Sequence, residues 1–307
     1  MSERLDLDRR FGGINRLYGT EALSRLATTH VIVIGIGGVG SWAAEALARC
    51  GVARLTLVDL DHVAESNFNR QLHALEPTLG QAKVEAMAQR IALINPACDV
   101  RCIDDFLTPE NVGEIIGTDS QTLVLDAMDQ VGAKVALIAW CKRHKQTVVT
   151  CGAAGGKMRG ELVQVADLSE TTQDPLLARV RSCLRRDHRF PAGQLKPLKA
   201  GNKKTRFGIQ AVYSTEAVKR PAQEGDSCAP FDPSGGAPLA CAGYGSLVTV
   251  TAVFGMVAAG LSGPARASVG SVRDFVLGAR IINGKGEHLT FGGQVMKNVA
   301  GYDVSRL

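Results

Sequence analysis

The stretch THVIVIGIGGVGSWAAEALARCG, Thr29 to Gly51, decides the fold. Thr29 to Ile34 is a short β-branched apolar run, which reads as a strand. It flows into GIGGVG, Gly35 to Gly40, and then into a helical pattern that stops at Gly51. Strand, glycine turn and helix follow one another without a linker. Glycines at such a turn allow backbone N–H groups to approach a phosphate, and the helix N-terminus adds partial positive charge.

Working outward, a second strand from Arg54 to Val58 ends at Asp59, and a helix from about Gln81 to Leu93 stops before Asn95-Pro96. A strand from Thr122 to Leu125 carries Asp126 at its end. A helix near Lys134 to Lys145 and a strand from Gln146 to Thr150 follow. Strands alternating with crossover helices predict an α/β, Rossmann-like, doubly wound and mainly parallel sheet, with ligands at the carboxyl ends of its strands. Beyond it the chain carries a C-terminal extension.

Composition narrows the classes. With 307 residues and 45% hydrophobic side chains, the chain can bury a substantial core. Its 35 Lys and Arg stand against 30 Asp and Glu, so any nucleic-acid partner must be recognised by clustered rather than net charge. No two of the eight cysteines are spaced CxxC, which argues against a tetrathiolate zinc site. The N-terminus lacks the order of a signal peptide, so a cytoplasmic protein with reduced thiols is expected. The apolar run Leu247 to Leu261 is broken by Thr249, Thr251, Gly255 and Gly260 and falls short of the ~20 residues that span a bilayer; it reads as a buried helix.

Asp59 lies where a carboxylate at the end of the second strand can accept hydrogen bonds from both ribose hydroxyls. With Gly35, Gly37, Gly38 and Gly40 it fits NAD, FAD or ATP alike. What separates these is DLDHVAESNFNRQ (Asp59 to Gln71), then GQAKVE (Gly80 to Glu85) and DAMD (Asp126 to Asp129). Hydride transfer needs no such set of Asn, Arg, Lys and carboxylate. Attack of a carboxylate on an α-phosphorus does, because charge builds on phosphate oxygens and pyrophosphate must leave neutralised. Arg70 can donate a fork to phosphate, Lys83 can place a point charge, Asp129 can hold Mg²⁺, and Asn67 can bond near the α-phosphate. Read singly, Lys83 is equally a solvated charge, Arg70 and Asp129 a structural ion pair, Asp126 a loop-orienting group, and Trp42 and Met128 core packing.

In this order and spacing, GxGGxG, DxDxVxxSNxNRQ, GxxK and DxxD resemble the E1-like (ubiquitin-activating-like) adenylating superfamily over residues 10 to 165. The resemblance implies ATP and Mg²⁺ at Gly35 to Gly40, Asp59, Asn67, Arg70, Gln71, Lys83 and Asp129, with Asp129 on the metal. It also implies a homodimer in which an N-terminal arginine, Arg16 or Arg10, reaches the partner's ATP. Further stretches are more specific: RFGGINRLYG at Arg10, SNFNRQLHAL at Ser66, TCGAAGGK at Thr150, DLSETTQDPLLARVR at Asp167 and VYSTEAVKRP at Val212. These resemble the tRNA threonylcarbamoyladenosine dehydratase family over residues 10 to about 261. That resemblance implies ATP-driven activation of the threonyl carboxylate on tRNA, then ring closure with net loss of water. Cys241, in LACAGYGS, matches a cysteine position of the family and would accept sulfur from a sulfur-transfer partner if exposed. The alternative is activation of the C-terminus of a sulfur-carrier or ubiquitin-like protein, although such activators generally carry two CxxC pairs. A nucleotide-binding oxidoreductase and a non-catalytic scaffold are the remaining readings.

Three parts are thus expected: an ATP-binding adenylation domain at 1–165, a tRNA- and substrate-side extension at 166–267, and a foreign-looking tail at 268–307. Within the second, Arg179, Arg181, Arg185, Arg186, Arg189, Lys196, Lys199, Lys203, Lys204 and Arg206 oppose one acid, Asp187. Proline and glycine in this basic stretch suggest a loop that touches tRNA phosphates. Residues 221 to 245 read as loop. The tail resembles a fragment of the glycolate oxidase FAD-binding subunit family, about 37 residues in which VLGARII, NGKGE and a further strand make a hairpin. No functional flavin site is expected, because that fold's other glycine-rich turn has no counterpart here.

Overall fold

The computed structural model describes residues 6–19, 21–192, 206–219 and 244–262, and the backbone of 278–282 and 288–292. Contacts gather the chain into a unit of Met1–Gly263 and a second of Pro264–Leu307. In the first, the strands β1 (His30–Ile34), β2 (Arg54–Val58), β3 (Asp99–Ile103), β4 (Leu123–Asp126), β5 (Thr147–Cys151), β6 (Val163–Asp167) and β7 (Gln210–Ser214) form one sheet in the order β3-β2-β1-β4-β5-β7-β6. All pairings are parallel except that of β6 with β7. This is the doubly wound sheet the sequence predicts, with its strand order reversing between β1 and β4, where such sheets bind ligands.

Alternation along β1 explains the continuous apolar run. Val31 and Val33 face one core with α3 (Gly40–Arg49), α4 (Lys83–Ile94) and α8 (Val248–Ser262). Ile32 and Ile34 face the other, with α5 (Val112–Ile116), α6 (Val131–Arg143) and α7 (Pro175–His188). Both faces of the sheet are covered, so neither can be polar. At the N-terminus, α1 (Leu7–Tyr18) and the short α2 (Ala22–Leu26) precede the sheet. Phe11 of α1 packs at Gly51, where a side chain would meet the ring at 3.1 Å.

Two expectations change. The basic stretch begins as a helix, not a loop: Asp174 caps α7 by accepting the Leu177 N–H at 2.9 Å, Pro175 occupies its first turn, and Leu176, Leu177, Val180 and Leu184 bury one side. The expected boundary at 165 also divides a single sheet, since β7 hydrogen-bonds β5 and the apolar helix α8 packs on α3. Lys196, Lys199, Lys203, Lys204, Cys241 and most of the expected 221–245 loop lie outside the described residues. In the second unit, β8 (Gly278–Ile282) and β9 (His288–Gly292) pair antiparallel, as a hairpin requires.

The closest helix contact is that of α8 with α3. A Cβ on Gly255 would lie 2.4 Å from the Val39 carbonyl oxygen, 2.8 Å from the Trp42 Cβ and 2.9 Å from the Ala43 nitrogen. Those atoms are backbone or fixed by it, so α8 itself must move to admit a methyl. Gly255→Ala is expected to lower unfolding free energy by about 1–3 kcal/mol, the usual cost of overpacking, read as a lower urea midpoint at unchanged slope.

Candidate active site

Register brings three chain segments to one level. Ile34 pairs with Val58 on one side and with Asp126 on the other, so Gly35, Asp59 and Ala127 leave the sheet side by side. The glycine turn explains its own composition. Gly35 has φ +86°, and a Cβ there would sit 3.0 Å from the Ala127 carbonyl group. At Gly40 a Cβ would fall 1.8 Å from the Gly35 carbonyl oxygen, so α3 starts where only glycine fits. Gly38 faces the Arg70 side chain and Thr251 of α8 at 3.2–3.4 Å. Gly37 is different: its nearest neighbour is the Gln71 amide nitrogen at 4.0 Å. No close contact among the described residues demands glycine there, so the position is open to a ligand.

Asp59 is buried, and its carboxylate accepts the Ile36 N–H at 2.6 Å and the Asp61 N–H at 2.9 Å. Burial pushes its pKa up, and the nearby Lys83 charge works against that. The carboxylate is therefore fixed against the glycine turn itself. The Asn67 side chain accepts the Ala64 N–H at 3.1 Å, and the buried Gln71 has an Oε1 with no partner. Arg70 directs Nη1 to the Ser66 carbonyl at 2.6 Å and the Asn69 Oδ1 at 2.9 Å. Its own carbonyl accepts the Trp42 indole N–H at 3.0 Å, and the Leu72 N–H donates to Ser41 Oγ at 3.2 Å. Trp42 and Ser41 on α3 thus hold this loop over the glycine turn, while Asn69 Nδ2 ties it to the Ser246 carbonyl before α8 at 2.8 Å.

Lys83 is not a solvated charge. It is buried at the start of α4, and its Nζ pairs with Asp61 Oδ2 at 2.6 Å, while the Asp61 carboxylate is more than half exposed. Arg70 and Asp129 form no ion pair with each other. Asp129 is half-buried just beyond β4 and has no hydrogen-bond or ion-pair partner among the described residues. Asp126 is wholly buried and accepts the Met128 N–H at 3.1 Å, which orients this turn. Of the two N-terminal arginines, Arg10 is committed to its own chain, donating to the Ile94 carbonyl at 2.7 Å. Arg16 is exposed and has no partner among the described residues.

Sequence reasoning missed Asp61, Ser41, Thr251 and Lys134. Only Asp61 carried a signal, the second carboxylate of DLD ahead of a lysine on the next helix. The others depend on which helix covers the turn.

Chemically, the arrangement offers backbone N–H groups and a helix N-terminus for phosphate, a fixed carboxylate for a ribose, and two cations, the half-buried Arg70 and the buried Lys83. The unpartnered Asp129 carboxylate suits a divalent ion. A model of the ThiF family matches residues 11–262, and the chain belongs to that family. Within it, two proteins named tRNA threonylcarbamoyladenosine dehydratase are each 47% identical to this chain. That of Haemophilus influenzae aligns over 82% of this chain and 90% of its own length, and that of Escherichia coli K12 over 81% and 90%. These matches place the chain with the tRNA threonylcarbamoyladenosine dehydratases, as its sequence motifs suggest. The crystal structure of the E. coli enzyme in complex with ATP superposes with a TM-score of 0.71 at 43% identity, covering 85% of this chain and 93% of that one. Its complex with AMP gives 0.69 at the same identity over 85% and 94%.

Two predictions follow from the geometry. Gly37→Ala should leave the melting temperature unchanged and weaken ATP binding at least tenfold, whereas Gly40→Ala should unfold or strongly destabilise the protein. Calorimetric ATP titration beside thermal melts separates the two.

The second concerns His73, which is buried with neither ring nitrogen partnered among the described residues. Burial, then the Lys83 and Arg90 charges, push its pKa down to about 4. The unfolded chain, titrating near 6.5, binds the proton first, so stability falls as pH drops from about 6.5 to 4, by on the order of 3 kcal/mol. His73→Leu should flatten that part of the urea-stability profile by close to one proton.

Proposed function

We propose that this protein catalyses the ATP-dependent dehydration and cyclisation of N6-threonylcarbamoyladenosine in tRNA through a carboxyl adenylate. The observation that carries the reading is the identity with named dehydratases over nine-tenths of their length, in a chain whose glycine turn, Asp59 and Ala127, two residues ahead of Asp129, leave the sheet at one level.

In this reading the threonyl carboxylate attacks the α-phosphorus of ATP, the bond to pyrophosphate breaks, and an acyl-adenylate forms. A nucleophile within the same modified base then attacks the acyl carbon and AMP leaves. ATP becomes AMP and pyrophosphate while the base loses the elements of water. Gly35 to Gly40 present backbone N–H groups to the phosphates, and Asp59 takes the ribose hydroxyls. Asn67 and Gln71 supply amide N–H groups near the α-phosphate. Arg70 donates to oxygens that gain charge in the transition state, and Lys83 exchanges its Asp61 partner for phosphate. Asp129 would hold Mg²⁺, which neutralises the departing pyrophosphate when bound. Ring closure needs no catalytic cysteine, because the nucleophile is already tethered beside the acyl carbon.

A homodimer places Arg16, which has no partner among the described residues, at the neighbouring ATP site. The arginines of α7 and Arg206 serve the tRNA backbone, although several are also used within the fold. Arg185 donates to the Pro191 carbonyl and stacks over the Phe207 ring at 5.2 Å, Arg186 pairs with Asp187, and Arg206 with Glu170. Cys241 is the proposed acceptor for a sulfur-transfer partner, and the tail binds no flavin. No helix among the described residues is long and apolar enough to cross a membrane; a cytoplasmic site of action is proposed from the tRNA substrate.

ATP/pyrophosphate exchange tests the reading directly. Exchange should depend on tRNA that carries the modified base and be absent with a purified sulfur-carrier protein; the reverse pattern would establish the alternative. In the same assay Arg70→Ala should lower kcat/KM by more than tenfold, that is by more than about 1.4 kcal/mol, at an unchanged melting temperature. Among the described residues its guanidinium is engaged only with Ser66 and Asn69 of its own loop.

A further inference from the structure

Three elements meet in a closed charge cluster beneath the strand ends. Asp126 ends β4, Thr150 and Cys151 end β5, and Lys134 lies in the first turn of α6. The side chains of Asp126 and Lys134 have no solvent exposure. Lys134 Nζ donates to Asp126 Oδ2 at 2.8 Å, Thr150 Oγ1 at 3.2 Å and the Cys151 carbonyl at 2.7 Å, so all three of its N–H groups are engaged. The Thr150 hydroxyl in turn donates to Asp126 Oδ2 at 2.6 Å. That leaves Asp126 Oδ1 for the Met128 N–H.

A buried ion pair is a poor source of stability, because desolvating both charges offsets most of their attraction; apolar side chains would fill the same space as well. What this cluster does hold is a turn. Ala127 is pinned to β1 through its N–H to the Ile34 carbonyl at 2.9 Å and lies against Gly35, Met128 is pinned to Asp126, and Asp129 follows before α6 begins. We propose that Lys134 and Thr150 are positioning residues for the reaction: through Asp126 they fix the 127–129 turn against the glycine turn, and so set where the Asp129 carboxylate stands relative to the nucleotide phosphates. The proposal rests on the reading of Asp129 as the Mg²⁺ carboxylate.

Thr150→Val keeps the shape of the side chain and removes only its hydroxyl. In the full chain, calorimetric binding of a non-hydrolysable ATP analogue at graded Mg²⁺ should show a metal half-saturation raised at least tenfold, with metal-free analogue affinity within twofold of the parent. Thr150→Ser should restore the parental value. A lower melting temperature with parental Mg²⁺ dependence would mean that the cluster is structural only, and would overturn the proposal. Should Thr150→Val fail to fold, the double variant Asp126→Asn with Lys134→Met is read in its place, with the same shift expected. Asp129→Asn separates the two levels of the argument. If it shifts the Mg²⁺ requirement while Thr150→Val does not, the positioning role alone is wrong; if it shifts nothing, the metal assignment fails and the proposal with it.

Discussion

Helix α3 begins closer to the strand that feeds it than any side chain permits, with the place of a Cβ at residue 40 only 1.8 Å from the Gly35 carbonyl oxygen. That approach brings the first helical N–H groups over the end of β1, an arrangement suited to anions. It also makes the turn thin, so its neighbours must come to it. Ala127 closes on it from β4, the Asp59 carboxylate bonds its backbone from β2, and Thr251 covers it from α8. Each contact is backbone to backbone or involves a short side chain, and the register of β1 with β2 and β4 sets all of them at one level.

Charge is distributed around this turn in two ways. Lys134 and Asp126 are sealed and matched donor for acceptor, so they can serve geometry and cannot serve a ligand. Lys83 and Asp61 are matched unequally, since Lys83 is buried and Asp61 is open to solvent. An ion pair with one exposed partner exchanges readily, because water stabilises the carboxylate that is released. Asp129 lacks any partner among the described residues. Sealed, half-exposed and unpaired groups thus surround one turn, an order that accords with the proposed division between residues that hold the site and residues that meet substrate.

The sheet was legible because its signals are local. Apolar β-branched strands, a glycine turn and a helix stop such as Asn95-Pro96 each act within a few residues, and the order of β and α segments then dictates parallel pairing. Helix limits moved by two or three residues, as at α6, whose first turn starts at Val131. In the basic stretch, charge density drew attention from a plain helix signal, Asp174 ahead of Pro175 with Leu176, Leu177, Val180 and Leu184 on one side. The side chains expected at the nucleotide could be named because DLDHVAESNFNRQ and GQAK carry them in fixed order. Their partners could not. That Lys83 meets Asp61, or that Lys134 meets Asp126 and Thr150, depends on crossover geometry between segments tens of residues apart, and neither periodicity nor spacing encodes it.

The same distance effect explains why a boundary near residue 165, natural in the order of motifs, does not divide the molecule. By residue 151 the chain has made all five strands from β1 to β5, yet one face of the sheet over the glycine turn still lacks a cover. Val250, Phe254, Ala258 and Ala259 of α8 complete that core, and Gly255 lets the helix sit directly on α3. The loop that carries Arg70 is bound on one side to Trp42 and on the other to Ser246, just ahead of the same helix. A chain ending at 165 would expose this apolar face and release one end of the Arg70 loop, so the site is built jointly by the first strand–turn–helix unit and the last helix of the sheet domain.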